Sequence, residues 1–449
     1  MNITDLISEK SHLSKDACAI EEGLFTQYDV KRGLRNADHT GVLVGLTRIG
    51  SVVGYEKIDG KLVAIDGKLI YRGISISDLV HGFQAEKRPG FDETVFLLLF
   101  GRLPLKEELS FFTNGMAELR ALPENFNRDM ILTMKGSDIM NMLARSILAL
   151  YTTDADPDST TVENILRQSI SLIAKFPTIA AYSYHAMRHL IHFDTLTVRY
   201  PDKKMHTAEN FLYMLKGSGY TPLEAELLDL CLVLHAEHGG GNNSSFTTRV
   251  VSSSGTDTYS AIVAAIGSLK GPLHGGANLK VGDMMDDVRS HVKNWHNDEE
   301  IEAYLRKILR KEAYDRSGKI YGFGHAVYTV SDPRAILLRE KARQLSIEKN
   351  REDEMALYEA IERIGPEVYY EFKGTKEKLI SPNVDFYSGF VYDCLKIPKE
   401  LYTPLFAISR IAGWSAHRME EILSGRRIIR PAYKAVEPEK PFIPTEKRG

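Results

Sequence analysis

The chain has 449 residues, 43% hydrophobic and 26% charged, which is ordinary for a folded globular protein and excludes disorder, collagen and a membrane bundle. At the usual domain size this length suits about three domains, or one large helical enzyme with an inserted lobe. Lys plus Arg number 57 against 60 Asp plus Glu; the net charge of −3 gives no general pull toward nucleic acid or anionic lipid, and neither partner is expected.

Residues 1–20 carry Asp5, Glu9 and Asp16 among lysines, with no apolar run of leader length. The longest apolar stretch, near Ala261–Ile266, is far too short to span a bilayer. Cys18, Cys231 and Cys394 are odd in number and far apart, which fits a reducing compartment and a cytoplasmic location. The run KLVAIDGKLIYRG at 61–73 alternates, with Asp66-Gly67 placed as a hairpin turn would be. The loop 151–160 alternates Asp154, Asp156 and Asp158. It holds Ser159 and Ile165 where a calcium loop needs glycine and glutamate, so it reads as an exposed acidic loop. Periodic stretches at 161–195, 222–238, 299–316, 334–349 and 402–424 predict helices, and strand signals are few. The expectation is a mainly α fold with a minor N-terminal hairpin. An extended tail at 436–449 follows, carrying Pro438, Pro441 and Pro444.

Four short segments carry the chemistry. In HAEHGGGN, 235–242, two histidines stand three apart at a helix end, which is not the HExxH spacing of a zinc helix. His235 shares an apolar face with Leu228 and Cys231 and reads as a core or supporting residue. His238, flanked by glycine, reads equally as structural or ligand-facing. GPLHGGAN, 271–278, sets His274 among small residues, either an incidental turn or a place where a substrate comes close. GFGHAVYTVSDPR, 322–334, fits neither GxGxxG nor the phosphate-loop pattern. In SPNVDFYSG, 381–389, Asp385 lies between Val384 and Phe386, as a desolvated base or as part of an Asx turn. Arg334, Arg410 and Arg430 together suit a small polycarboxylate, although Arg426, Arg427 and Arg430 also read as a solvated basic patch.

HAEHGGGN, GPLHGGAN, GFGHAVYTVSDPRA and NVDFYSG, in this order, resemble the four signature segments of citrate synthases, and the related 2-methylcitrate synthases share the pattern. With IDGKLIYRG and FDETVFLLLFGRLP, the resemblance spans roughly residues 55–435. It implies a helical homodimer. A large domain, 1–279 and 386–435, would carry a smaller one, 280–385, that closes over the substrates. It also implies an acyl-CoA:oxaloacetate acyltransferase that condenses acetyl-CoA with oxaloacetate and hydrolyses citryl-CoA, without cofactor or metal.

By motif, His274, His325 and Asp385 match the catalytic triad. His238, Arg334, Arg410 and Arg430 match oxaloacetate binders, Arg430 coming from the neighbouring subunit. Ile320, Tyr321, Gly322, Phe323 and Gly324, with Asn383, match segments that hold CoA. Thr329 stands where some members carry a basic residue, so Lys376 and Lys378 are expected to supply charge for the CoA phosphates. Three alternatives stay open: propionyl-CoA as the thioester, a non-catalytic homologue that binds CoA or a carboxylate, and a metallohydrolase built on His235, His238, His274 and His325. The last lacks a carboxylate or thiolate partner at ligand spacing.

Overall fold

The computed structural model describes residues 2–448 apart from Ala37, His39, Glu377, Lys378 and Arg426. The chain forms two compact units, one up to Leu46 and one from Thr47 onward. The first consists of helices Ile3–Cys18 and Glu22–Gln27 and a 3₁₀ turn, Arg32–Leu34. Asn2 and Asp5 start its first helix with a reciprocal cap: Asn2 Oδ1 accepts from the Asp5 N–H at 2.9 Å and Asp5 Oδ2 from the Asn2 N–H at 3.1 Å.

The second unit is mainly helical and contains a small antiparallel sheet. Strand β1 (Gly50–Ile58) pairs with β2 (Lys61–Tyr71), and β3 (Ile74–Ser75) adds to β2. The hairpin turn is Asp59-Gly60, both at positive φ as a type I′ turn requires. Asp66-Gly67, expected from the sequence to be that turn, lies within β2 as a bulge: Val53 pairs with Lys68, but Tyr55 pairs with Ala64. The cause is a distant contact. Gly67 N–H donates to Ser331 O at 3.1 Å, and Asp66 Oδ1 accepts from Ser331 Oγ at 2.8 Å. A Cβ on Gly67 would come within 2.2 Å of Ser331 O. The dipeptide docks the 325–334 loop instead of reversing the chain.

The periodic stretches fold as helices Val162–His192, Pro222–His235, Asp298–Leu309, Pro333–Glu348 and Tyr402–Glu420. The third stops short of 316, since Lys311, Tyr314 and Arg316 take positive φ. Helix 402–420 is buried almost all round, as Ile408, Ile411 and Trp414 show, and packs against helices 162–192, 222–235, Asn243–Ser252 and Thr258–Lys270. At the end of β2, the Tyr71 hydroxyl reaches the carbonyls of Val233 at 3.1 Å and Glu237 at 3.0 Å. It thereby closes the C-terminus of helix 222–235.

Asp154 corrects the reading of an exposed acidic loop. Its side chain is 2% exposed and accepts from Tyr259 Oη at 2.7 Å and Gln168 Nε2 at 3.0 Å. Asp156 and Asp158 are exposed. From Ile428 to Val436 the chain has neither helix nor strand, and among the described residues beyond it only a 3₁₀ turn, Thr445–Lys447, is regular. No described helix is long and apolar enough to cross a membrane.

Gly67→Ala is expected to lower stability by about 1–3 kcal/mol, because the added methyl forces the docked loop away. Urea unfolding measures this, and an unchanged midpoint would show that the bulge does not hold the 325–334 loop.

Candidate active site

The end of helix 222–235 delivers the first group. Tyr71 grips both sides of Glu237, accepting its N–H at 3.2 Å, and Gly239 takes φ 80°. The His238 ring meets His325 edge-on, 5.0 Å between centroids, and Tyr328 at 5.5 Å. Its Nε2 is buried with no hydrogen-bond partner among the described residues. Burial, and then the nearby Arg334, hold His238 well below the ordinary histidine range, so the ring is neutral. His235, one turn earlier, is buried and supports a neighbour: its carbonyl accepts from Arg410 Nε at 2.6 Å.

Arg334 and Arg410, both buried, differ in their partners. Asp332 caps helix 333–348, with proline at its first position, by accepting the Arg334 N–H at 3.0 Å. The same carboxylate takes Arg334 Nε at 3.0 Å and Nη2 at 2.7 Å, a bidentate pair. Asp332 Oδ2 also accepts the Val384 N–H at 3.3 Å, which ties the third signature segment to the fourth. Arg410 has no carboxylate within ion-pair distance among the described residues. Its guanidinium lies 4.7 Å from the Phe406 ring, and its buried Nη1 has no hydrogen-bond partner among the described residues. Burial lowers its pKa to about 10, so it is still a cation at neutral pH.

His325 has its tautomer set by the backbone. The Val327 and Tyr328 N–H groups both donate to Nδ1 at 3.0 Å, so the proton of the neutral ring sits on Nε2. His274 follows the end of helix 258–270, and its glycines are required by space. A Cβ would come 2.3 Å from Leu269 O at Gly275 and 2.7 Å from Pro272 O at Gly276. Burial and then Arg410 bring His274 down to about 4, leaving it neutral. Its Nε2 lies 3.1 Å from Ser244 Oγ, which also accepts from Trp414 Nε1 at 3.0 Å and donates to Asn242 Oδ1 at 2.9 Å.

Asp385 is the second residue of helix Val384–Cys394, where Asn383 Oδ1 caps its N–H at 3.0 Å. A helix start favours an ionised carboxyl. Burial nevertheless dominates over Arg334 and raises Asp385 to about 6. Arg410 acts electrostatically on Asp385, His274 and His238, so these groups share one environment.

The expected CoA segment is stitched to this site through its backbone. Phe323 bridges to Pro382, Gly324 N–H donates to Ser381 O at 2.9 Å, and Asn383 N–H donates to Gly322 O at 2.8 Å. Asn383 Nδ2 donates to Gly324 O at 3.1 Å. Gly322 and Gly324 have φ of 82° and 81°. Ile320 is buried, and the Phe323 ring packs on Phe386 at 5.1 Å. Tyr321 donates to Asp315 Oδ2 at 2.7 Å. Thr329 is buried. Lys376 is exposed and paired with Glu367 at 2.9 Å, and Lys378 lies outside the described residues.

Arg430 is not brought to these groups; it is exposed on the extended segment after the turn Glu421–Gly425. A cavity of about 600 Å³ bounded by Phe83, Arg88, His206 and Asp229 contains none of the signature residues, so chemistry rather than cavity size locates the site. Among the described residues no group of three or more His, Cys, Asp or Glu stands ready for a metal ion. Sequence reading missed Asp332, Ser244, Trp414, Glu237 and His417. Asp332, an N-cap before proline, carried a local signal.

Residues 38–432 match the family model described as citrate synthase, C-terminal domain. A citrate synthase from Synechocystis sp. is 38% identical over 370 residues, 82% of this chain and 84% of that protein. A citrate synthase from Thermoplasma acidophilum, solved as a ternary complex with carboxymethyl coenzyme A and oxaloacetate, aligns with a TM-score of 0.75 at 26% identity. The alignment covers 93% of this chain and 99% of that one. A 2-methylcitrate synthase from Shewanella oneidensis is 32% identical over 86% of this chain and 94% of its own length. With the signature histidines, the two buried arginines and Asp385 in one electrostatic environment, the chain belongs to the citrate synthase family.

Proposed function

We propose that the chain condenses acetyl-CoA with oxaloacetate and hydrolyses the citryl thioester, in a site that a second copy of the chain completes. The observation that carries this reading is Arg410, a buried cation with no carboxylate at ion-pair distance among the described residues, beside neutral histidines and a carboxyl of raised pKa. Arg334 and Arg410 take the carboxylates of oxaloacetate, with His238 beside its carbonyl. His325 donates Nε2–H to that carbonyl oxygen. Asp385 removes a proton from the thioester methyl group while neutral His274 stands beside the developing enolate oxygen. The enolate carbon then bonds to the carbonyl carbon, and the resulting alkoxide, hydrogen-bonded by His325 Nε2–H, is neutralised by the proton that Asp385 took, which frees the carboxylate again. Water finally attacks the thioester and CoA leaves as the thiol. All of this is done by side chains, without metal or cofactor.

Greater identity to the citrate synthase than to the 2-methylcitrate synthase supports acetyl-CoA, although one methylene is worth only about 1–3 kcal/mol in a pocket. The segment 280–385 acts as the closing lobe, with residues 320–324, Asn383, Lys376 and Lys378 toward CoA. The tail supports dimer formation: Tyr433 is 96% exposed and Phe442 83%, apolar surface that a second copy covers as it receives Arg430. Unpaired Cys18, Cys231 and Cys394 fit the cytoplasm.

Asp385→Asn is expected to lower kcat by about 10²–10⁴-fold while oxaloacetate affinity holds; near-normal turnover removes Asp385 as the base. In the unmodified chain kcat/KM for acetyl-CoA falls as pH drops through about 6, since protonation removes the base. An acid limb centred near 4, the ordinary carboxyl value, contradicts the raised pKa. Arg430→Ala and His274→Ala chains, each feeble alone, regain activity when mixed, because one site of each hybrid dimer has every intact part. No recovery after verified subunit exchange contradicts a shared site.

A further inference from the structure

Behind His238 runs a line of buried charge that makes no bond to the reacting groups. Glu237, 0% exposed, holds Oε1 at 2.8 Å from His417 Nε2 and 2.6 Å from the Gly239 N–H. On the other side of that imidazole, Arg249 Nε and Nη2 stand 3.1 and 2.8 Å from His417 Nδ1. Arginine only donates, so Nδ1 carries no proton and Nε2–H donates to Glu237. Arg249 in turn pairs with Glu421 at 3.1 Å and with Glu420, whose Oε1 accepts the Arg48 N–H at 2.8 Å.

The seat is shaped for a carboxylate. A Cβ at Gly50 would lie 2.8 Å from Glu237 Oε1, and one at Gly413 would lie 2.3 Å from Oε2. The backbone of β1 and of helix 402–420 therefore closes directly on the two oxygens. Two features depend on what this carboxylate holds. One is the peptide Glu237–Gly239, which presents His238. The other, through Arg249, is the turn Glu421–Gly425 at the root of the segment that carries Arg430.

We infer that Glu237, His417 and Arg249 are positioning residues for oxaloacetate: they set the His238 turn and the root of the arm that offers Arg430 to the partner copy. This rests on the reading that His238 and Arg430 hold oxaloacetate. Their hydrogen bonds run to the backbone beside His238 and to the turn before Arg430 rather than to Asp385 or His274, so their effect falls on oxaloacetate.

Steady-state kinetics of the intact enzyme tests the inference. Glu237→Gln keeps the shape but removes the charge, His417→Phe removes both ring nitrogens, and His417→Gln retains an N–H donor. The first two are expected to raise KM for oxaloacetate about tenfold or more, with KM for acetyl-CoA unchanged, and His417→Gln to recover part of the loss. A purely structural role would lower the melting temperature and the active fraction and leave both KM values alone; that result overturns the inference. Should Glu237→Gln not fold, Arg249→Gln, at the outer end of the line, carries the same expectation and the same contradiction. His238→Ala is measured alongside. An unchanged oxaloacetate KM there overturns the role of His238 itself. A raised KM there with normal values for Glu237→Gln and His417→Phe overturns the positioning role alone.

Discussion

Arg410 is a cation buried at 0% exposure on helix 402–420, held by the His235 carbonyl and the face of Phe406. An uncompensated charge in such a place costs several kcal/mol. Arg334, which has Asp332 as its counter-ion, adds a second positive group to the same region. The site is thus prepared for a dianion, since at about 4 Å and an effective dielectric near 20 each close charge pair is worth about 4 kcal/mol. Glu237 answers part of this field from behind; after burial it is the largest influence on Arg410.

The same field orders the proton affinities of the other groups. Positive charge and burial together push His238 and His274 down, while burial pushes Asp385 up. The usual order is reversed: the carboxyl, at about 6, holds a proton more tightly than His274, at about 4. A proton shared between these groups therefore rests on Asp385 sooner than on His274, and that imidazole stays neutral. Paired titratable groups pushed apart in this way divide the labour of acid and base.

Much of this was legible in the sequence where the physics is local. The 3.6-residue period marked the long helices, and glycine around His274 marked a crowded turn that a Cβ would clash with. What escaped depends on partners far along the chain. Asp66-Gly67 looks like a turn until Ser331 stands against it, and Asp154 looks exposed until Tyr259 and Gln168 close over it. Glu237 and His417 are 180 residues apart and meet only because helix 402–420 crosses the end of helix 222–235. Ser244 was hidden differently, as one small polar residue in a run of them. Arg430 was singled out by motif alone, and the structure leaves it exposed, away from the other signature residues.

The most direct measurement is release of CoA thiol in the presence of EDTA and oxaloacetate, with acetyl-CoA and propionyl-CoA compared across concentrations. Oxaloacetate-dependent release with the higher kcat/KM for acetyl-CoA is the expected result. A higher value for propionyl-CoA contradicts the choice of thioester, and a folded dimer silent with both contradicts catalysis by this site.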